Sequence, residues 1–261
     1  MNYWAIREIE EREALLDKSI LATENELAVQ YKRTLKNIKG KMESLYDEIL
    51  ASRGDGTLLV SDLYKFNRYY ELMNNLNAEM IKLGQKEIPI YEKHLVNLYE
   101  QNSEIVGKHV GLTATINPDR AKQVVDTVWC NDGKRWSDRI WLHKGEMVSR
   151  LEKGLIDCVV SGASHEQLSK QIVKDFSTSF YNADRIARTE LSHIQNQSAL
   201  DKYKEAGITH YQFLATLDGK TCEEDRKLNN KIFPISEAKT GVNFPPLHPH
   251  CRCTILAVIG G

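Results

Sequence analysis

The sequence predicts an α+β protein: a mainly α-helical, elongated N-terminal region followed by a small C-terminal domain of helix and β-sheet. Three observations predict it. Apolar residues recur every three or four positions through most of the chain as far as Gly207. The period then changes, and Tyr211, Phe213 and Ala215 alternate with Gln212, Leu214 and Thr216 as on a strand. Finally, Thr254 to Ile259 is a run rich in apolar and β-branched residues.

The helices follow in order. Tyr31, Leu35, Ile38, Met42, Leu45 and Ile49 step by four and three, which makes one apolar stripe. Two readings of that stripe stand: the seam of a self-contained bundle, or a docking surface for a larger assembly. The run Ser52-Arg-Gly-Asp-Gly56 breaks the pattern. A second helix is expected from about Ser61, with Leu63, Phe66, Tyr70, Met73, Leu76 and Met80 on one side and Gly84 at its end. A third is expected from Pro89, which suits a first helical turn, to about Gly107.

Between Val128 and Arg150 the character changes, with Trp129, Trp136 and Trp141 close together and Arg135 and Arg139 among them. These rings either stack on bases or cover a junction between two parts of the chain. Ser137 is expected to cap the helix that follows. Ser164-His-Glu-Gln167 matches a capping box. Asn182 is expected to open a further helix that Gly207 closes. Glu190 shares a face with Ile186 and Ile194, so its carboxylate needs a partner or a proton. Beyond it, Asp218-Gly219 turns the chain, and Leu228-Asn-Asn-Lys231 fits a tight turn because Asn tolerates positive φ. These features divide the chain into a helical region over 1–115, a Trp-rich junction with helices over 116–180, and a C-terminal domain over 181–261.

Composition bounds the function. The chain has 261 residues, 27% charged and 41% hydrophobic, with a formal net charge of −1. That is room for one large domain or two modest ones, and no global field draws it to nucleic acid or to an anionic membrane. The segment MNYWAIREIEEREALL lacks a basic start and an apolar core, so no export signal is expected, and no apolar run is long enough for a membrane span. Five cysteines then fit free thiols or a metal site better than a disulfide framework. The stretch PPLHPHCRC, Pro245 to Cys253, concentrates His248, His250, Cys251 and Cys253. Cys222, Cys251 and Cys253, with His248, His250 or Asp225 as the fourth ligand, would make a closed tetrahedral zinc site. The other reading is free thiols packed as small hydrophobes. A catalytic zinc would need an open position and a general base, and no HExxH-like signature occurs.

Taken together, Ile186-Ala-Arg-Thr-Glu190, Tyr203, Gly207, Asp218-Gly-Lys-Thr-Cys222, Asn230-Lys-Ile-Phe233 and Pro245-Pro-Leu-His-Pro-His-Cys-Arg-Cys253 resemble the C-terminal domain of phage minor head proteins, the Mu F-like head morphogenesis family. The stretch Trp136–Trp141 is similar to an upstream element of that family. The resemblance implies a non-enzymatic virion protein of a tailed phage or prophage. It would be assembled in the host cytoplasm into the head beside the portal, where it assists head assembly, DNA packaging or delivery. The implied partners are the portal protein and major capsid or scaffolding proteins, with weak contact to packaged DNA and none to membrane. The competing readings are a zinc-dependent hydrolase or nuclease and a weak DNA-binding module. The family motif carries both Glu190 and Arg252, and a structural ion pair between them is expected. Many members have a second Cys where this chain has Asp225, which bears on whether a structural zinc is held.

Overall fold

The computed structural model describes residues 3–51, 61, 64, 67–112, 117–130 and 132–259. Five longer helices come first: α1 Tyr3–Ala51, α2 Arg68–His109, α3 Pro118–Val125, α4 Trp136–Val160 and α5 His165–Glu205. Strand β1 His210–Leu214, helix α6 Glu223–Leu228, strand β2 Ile232–Pro234, a 3-10 turn Ile235–Glu237 and strand β3 Thr254–Ala257 follow. The fold class is α+β. None of the described helices is long and apolar enough to cross a membrane.

The helix boundaries show which local signals prevail. The capping box forms, with the Gln167 N–H donating to Ser164 Oγ at 3.3 Å and the Ser164 N–H to Gln167 Oε1 at 2.6 Å. Gly207 closes α5 at φ +72°, where the Ile208 N–H reaches back to the Tyr203 carbonyl. Three expected boundaries are absent. Asn182 lies inside α5, because no Gly or Pro between 165 and 205 interrupts the helical run and an interior Asn costs little. Ser137 lies inside the first turn of α4, which opens one residue earlier at Trp136. The second and third expected helices are the single helix α2, which continues through Gly84 and Pro89. Gly84 serves close packing there: a Cβ at that position would sit 2.6 Å from the Trp141 ring. The Ser52–Gly56 break, Leu63 and Phe66 lie outside the described residues.

The chain forms two compact units that interleave along the sequence, where the linear reading expects three consecutive segments. One comprises Met1–Glu24, Tyr91–Trp136 and Arg185–Gly261, the other Asn25–Ile90 and Ser137–Asp184.

The second unit is helical. Its core holds Ile38, Met42, Leu45 and Ile49 of α1, Leu76, Met80 and Leu83 of α2, Leu151 and Leu155 of α4, and Leu168 and Ile172 of α5. The stripe from Tyr31 to Ile49 is therefore packed inside this unit, with only Leu35 half-exposed. Its side chains face inward, as on the seam of a bundle. A buried ion pair crosses the core: Lys144 Nζ lies 2.5 Å from Glu87 Oε1 and donates to Tyr31 Oη at 2.6 Å. Burial raises the Glu87 pKa and lowers that of Lys144, each toward its neutral form.

The first unit contains the sheet. Its three antiparallel strands lie in the order β2-β1-β3, with Tyr211 opposite Phe233 and Ala257, and Phe213 opposite Ile255. Tyr211 and Ile255 pack with Val106 of α2 and with Ala199, Leu200 and Tyr203 of α5. Phe213 packs with Cys251 and Cys253 in a separate small cluster. The first turns of α1 join this unit through Arg12, whose side chain is 1% exposed. Arg12 donates to the Ile255 carbonyl, to Thr254 Oγ1 and to Tyr203 Oη, and pairs with Glu8.

Candidate metal centre

The C-terminal donors converge because three short elements bring them to one place in the first unit. Cys222 caps α6, its sulfur accepting the Asp225 N–H at 3.3 Å. One turn into α6, Asp225 points inward and is 4% exposed. The segment before β3 supplies the rest, folded by a turn in which the Cys251 N–H donates to the His248 carbonyl. His250 carries that turn at φ +61°, and its own N–H donates to Thr189 Oγ1 on α5.

Two triads result, and Asp225 belongs to both. Cys222, Asp225 and His248 present donor atoms within 4.8 Å of one another, as do Asp225, Cys251 and Cys253. His248 Nε2 lies 3.3 Å from Cys222 Sγ and 3.1 Å from Asp225 Oδ2. Cys251 Sγ lies 3.8 Å from Asp225 Oδ1. Of the sequence candidates, Cys222, Asp225, His248, Cys251 and Cys253 come together. His250 belongs to neither triad. Cys251 and Cys253 sit on the coil before β3 rather than on the strand, yet both are buried while Arg252 faces outward.

The electrostatics follow from these contacts. A hydrogen bond from Cys253 lowers the Cys251 thiol to about 7 against the opposing effect of burial, helped by the backbone N–H groups of Leu247 and Cys253. The same bond, together with burial, pushes Cys253 up, so it keeps the shared proton. Burial opposes a charge on His248, but the Pro249 carbonyl, Cys251 and Asp225 outweigh it and raise its pKa.

The expected ion pair between Glu190 and Arg252 is not made. Arg252 lies on the outer side and pairs with Asp218, Nη1 to Oδ2 at 2.7 Å. That bond and the Lys220 N–H hold the Asp218 carboxyl below the usual range. Glu190 is buried, and its Oε2 accepts the indole N–H of Trp129 at 2.8 Å. The reason is the alternation around Arg252: with Cys251 and Cys253 turned in, its side chain turns away from α5. The Trp129 ring stacks on His193 at 4.4 Å and 14°, and the Trp136 indole donates to the Val125 carbonyl. Both rings are engaged within the protein, as the packing reading of the tryptophans expects. Sequence reasoning missed His193 and Arg12, since neither sits in a recognisable motif.

The family described as Phage Mu protein F like protein matches residues 149–256, a segment that holds all five clustered donors. Over its whole length the chain is 25% identical to a protein of Enterococcus faecalis named NAD(+)--arginine ADP-ribosyltransferase EFV, of which it covers 55%. Over 44% of its length it is 22% identical to an uncharacterized protein of Haemophilus influenzae, of which it covers 26%. The chain thus spans about half of the first relative and about a quarter of the second. No solved structure matches it significantly. Residues 149–256 are similar to the Phage Mu protein F like family, as the motifs from Ile186 to Cys253 lead one to expect.

Proposed function

We propose that this chain is a minor head protein of a tailed phage or prophage, a structural component that assists head assembly, DNA packaging or delivery. Its partners on this reading are the portal protein and major capsid or scaffolding proteins, and its place is the virion head. The observation that carries the reading is the family match over residues 149–256. The near-zero net charge supports protein partners over tight DNA binding, because phosphate contact needs clustered Lys and Arg. Contact with packaged DNA is weak on this reading.

The experiment is cosedimentation. Procapsids assembled with and without the chain are separated on a gradient, and their proteins are identified by mass spectrometry. A few copies per procapsid, together with loss of filled heads when the chain is omitted, supports the role. Normal heads without it sink the reading.

The name of the enterococcal relative raises a second reading, arginine-directed ADP-ribosyl transfer. With only about half of that protein covered, its activity need not lie in the part shared with this chain. Incubation with NAD and an arginine-containing acceptor tests it directly: label transfer supports an enzyme, and its absence leaves the head role as the reading.

A further inference from the structure

We propose that the Asp225 cluster is a zinc site, in which Cys222, Asp225, His248 and Cys251 hold one zinc ion with Cys253 beside it. This inference stands apart from the head role and rests on the first unit's own geometry.

Four observations point to it. The first is distance. Metal–ligand bonds of about 2.0–2.3 Å at tetrahedral angles set neighbouring donor atoms roughly 3.3–3.8 Å apart. Within the first triad, His248 Nε2 lies 3.3 Å from Cys222 Sγ and 3.1 Å from Asp225 Oδ2, and the other oxygen of the same carboxylate lies 3.8 Å from Cys251 Sγ, so Asp225 joins the two triads. The second is the tautomer of His248. Its Nδ1 lies 2.9 Å from the Pro249 carbonyl, which can only accept, so Nδ1 carries a proton. In neutral His248 the lone pair of Nε2 then faces the sulfur and the carboxylate, and a carbonyl on the far nitrogen orients a metal-binding imidazole in this way. Lone pairs of nitrogen, oxygen and sulfur that converge in this way need a cation or protons among them. The third is the support given to sulfur. The Asp225 N–H points at Cys222 Sγ at 3.3 Å, and such a donor favours thiolate. The fourth is burial: Asp225, Cys251 and Cys253 are 4%, 3% and 3% exposed, so a charged donor set there needs compensation.

The chemistry selects the ion. Mixed sulfur, nitrogen and oxygen donors at tetrahedral spacing fit zinc, whereas calcium and magnesium take all-oxygen shells of higher coordination number. Binding exchanges protons for metal: thiol protons leave Cys222 and Cys251, and His248 binds as the neutral ring. All four positions around the ion are filled by protein. The site is therefore closed, and it ties α6 to the segment before β3, beside the small core of Phe213.

The test uses the full chain, purified under reducing conditions without chelator. Elemental analysis should give one zinc per chain. Exchange for cobalt(II) should give the visible absorption of a tetrahedral ion, with sulfur-to-cobalt charge transfer of two thiolates. Alkylation should spare Cys222 and Cys251 until a strong chelator is added. Asp225→Ala and Cys251→Ser should lose the ion, and Cys253→Ser should keep it. Should these variants fold poorly, the cobalt spectrum and alkylation pattern of the parent chain still decide. A parent chain that holds no zinc and gives no tetrahedral cobalt spectrum overturns the proposal. So does a site that survives Asp225→Ala but is lost in Cys253→Ser, which would make it a three-thiolate centre without the carboxylate.

Discussion

Arg12 donates to the carbonyl oxygen of Ile255 across 2.6 Å, although 243 residues separate the two in the chain. The same guanidinium pairs with Glu8, which also accepts the Tyr203 hydroxyl at 2.6 Å. Removing one side of such a buried pair leaves the other charge without compensation, which costs about 3–5 kcal/mol. Arg12→Ala should therefore destabilise the first unit by that amount in urea unfolding. Adding Glu8→Gln should recover part of the loss. Equal stability of Arg12→Ala and parent would mean that the network adds nothing.

Acid should weaken the first unit through His193. Burial pushes this ring down to about 3 from its ordinary 6.5, with the Trp129 indole stacked on its face. Between those values the unfolded chain binds a proton that the folded chain refuses. Stability therefore falls as pH drops through about 6.5, at up to roughly 1.4 kcal/mol per pH unit, until the folded-state value is reached. Unfolding free energies at pH 7 and pH 5 should differ by about 2 kcal/mol from this group alone. In His193→Phe the slope should shrink by that amount, and an unchanged slope would assign the acid sensitivity elsewhere.

Glu190 and Trp129 should be energetically coupled. Trp129→Phe removes the indole N–H and leaves a buried carboxylate short of one donor, at about 1–3 kcal/mol. Glu190→Gln keeps an acceptor at nearly the same place and should cost less. A double-mutant cycle in thermal unfolding should show a coupling of about 0.5–3 kcal/mol, and additive losses would refute the bond.

Ile38 and Met42 are fully buried, so a charge there acts on folding before it acts on assembly. Ile38→Asp should cost more than about 4 kcal/mol and abolish cooperative melting of the helical unit. Leu35→Asp, at the half-exposed position of the stripe, should cost much less. If the isolated Ile38→Asp chain melted like its parent, the stripe would be a docking face after all.

What is legible in the sequence is what local rules govern. The box at Ser164–Gln167, the cap at Gly207, the positive φ of Asn230 at +64° and the alternation of Tyr211 and Phe213 each follow from a few neighbouring residues. The donors of the candidate metal centre are legible as residue types too. Their grouping is not, because the turn from His248 to Cys251 decides that His248 enters and His250 does not. Gly84 reads as a stop, but the Trp141 ring that needs the missing side chain lies 57 positions away in sequence. The partner of Glu190 is likewise hidden, since Trp129 and Arg252 look equally suitable until the facing of Arg252 is known.

The interleaving of the two units has a consequence for the order in which the chain can fold. Synthesis runs from the N-terminus, so every residue of the helical unit has been made once Asp184 is added. The other unit must wait for its last strand, because Tyr211 and Arg12 find their partners on β3 only after residue 257 exists. Until then the apolar faces of the early part of α1 and the later part of α2 lack the sheet and helix that cover them. A recombinant fragment beginning at residue 149 or 181 would inherit the reverse defect, since Arg12, Asn102 and Val106 would be missing from beneath its sheet and from the side of α5. Intact chain, and an expression host that shelters the nascent N-terminal helices, are what this connectivity demands.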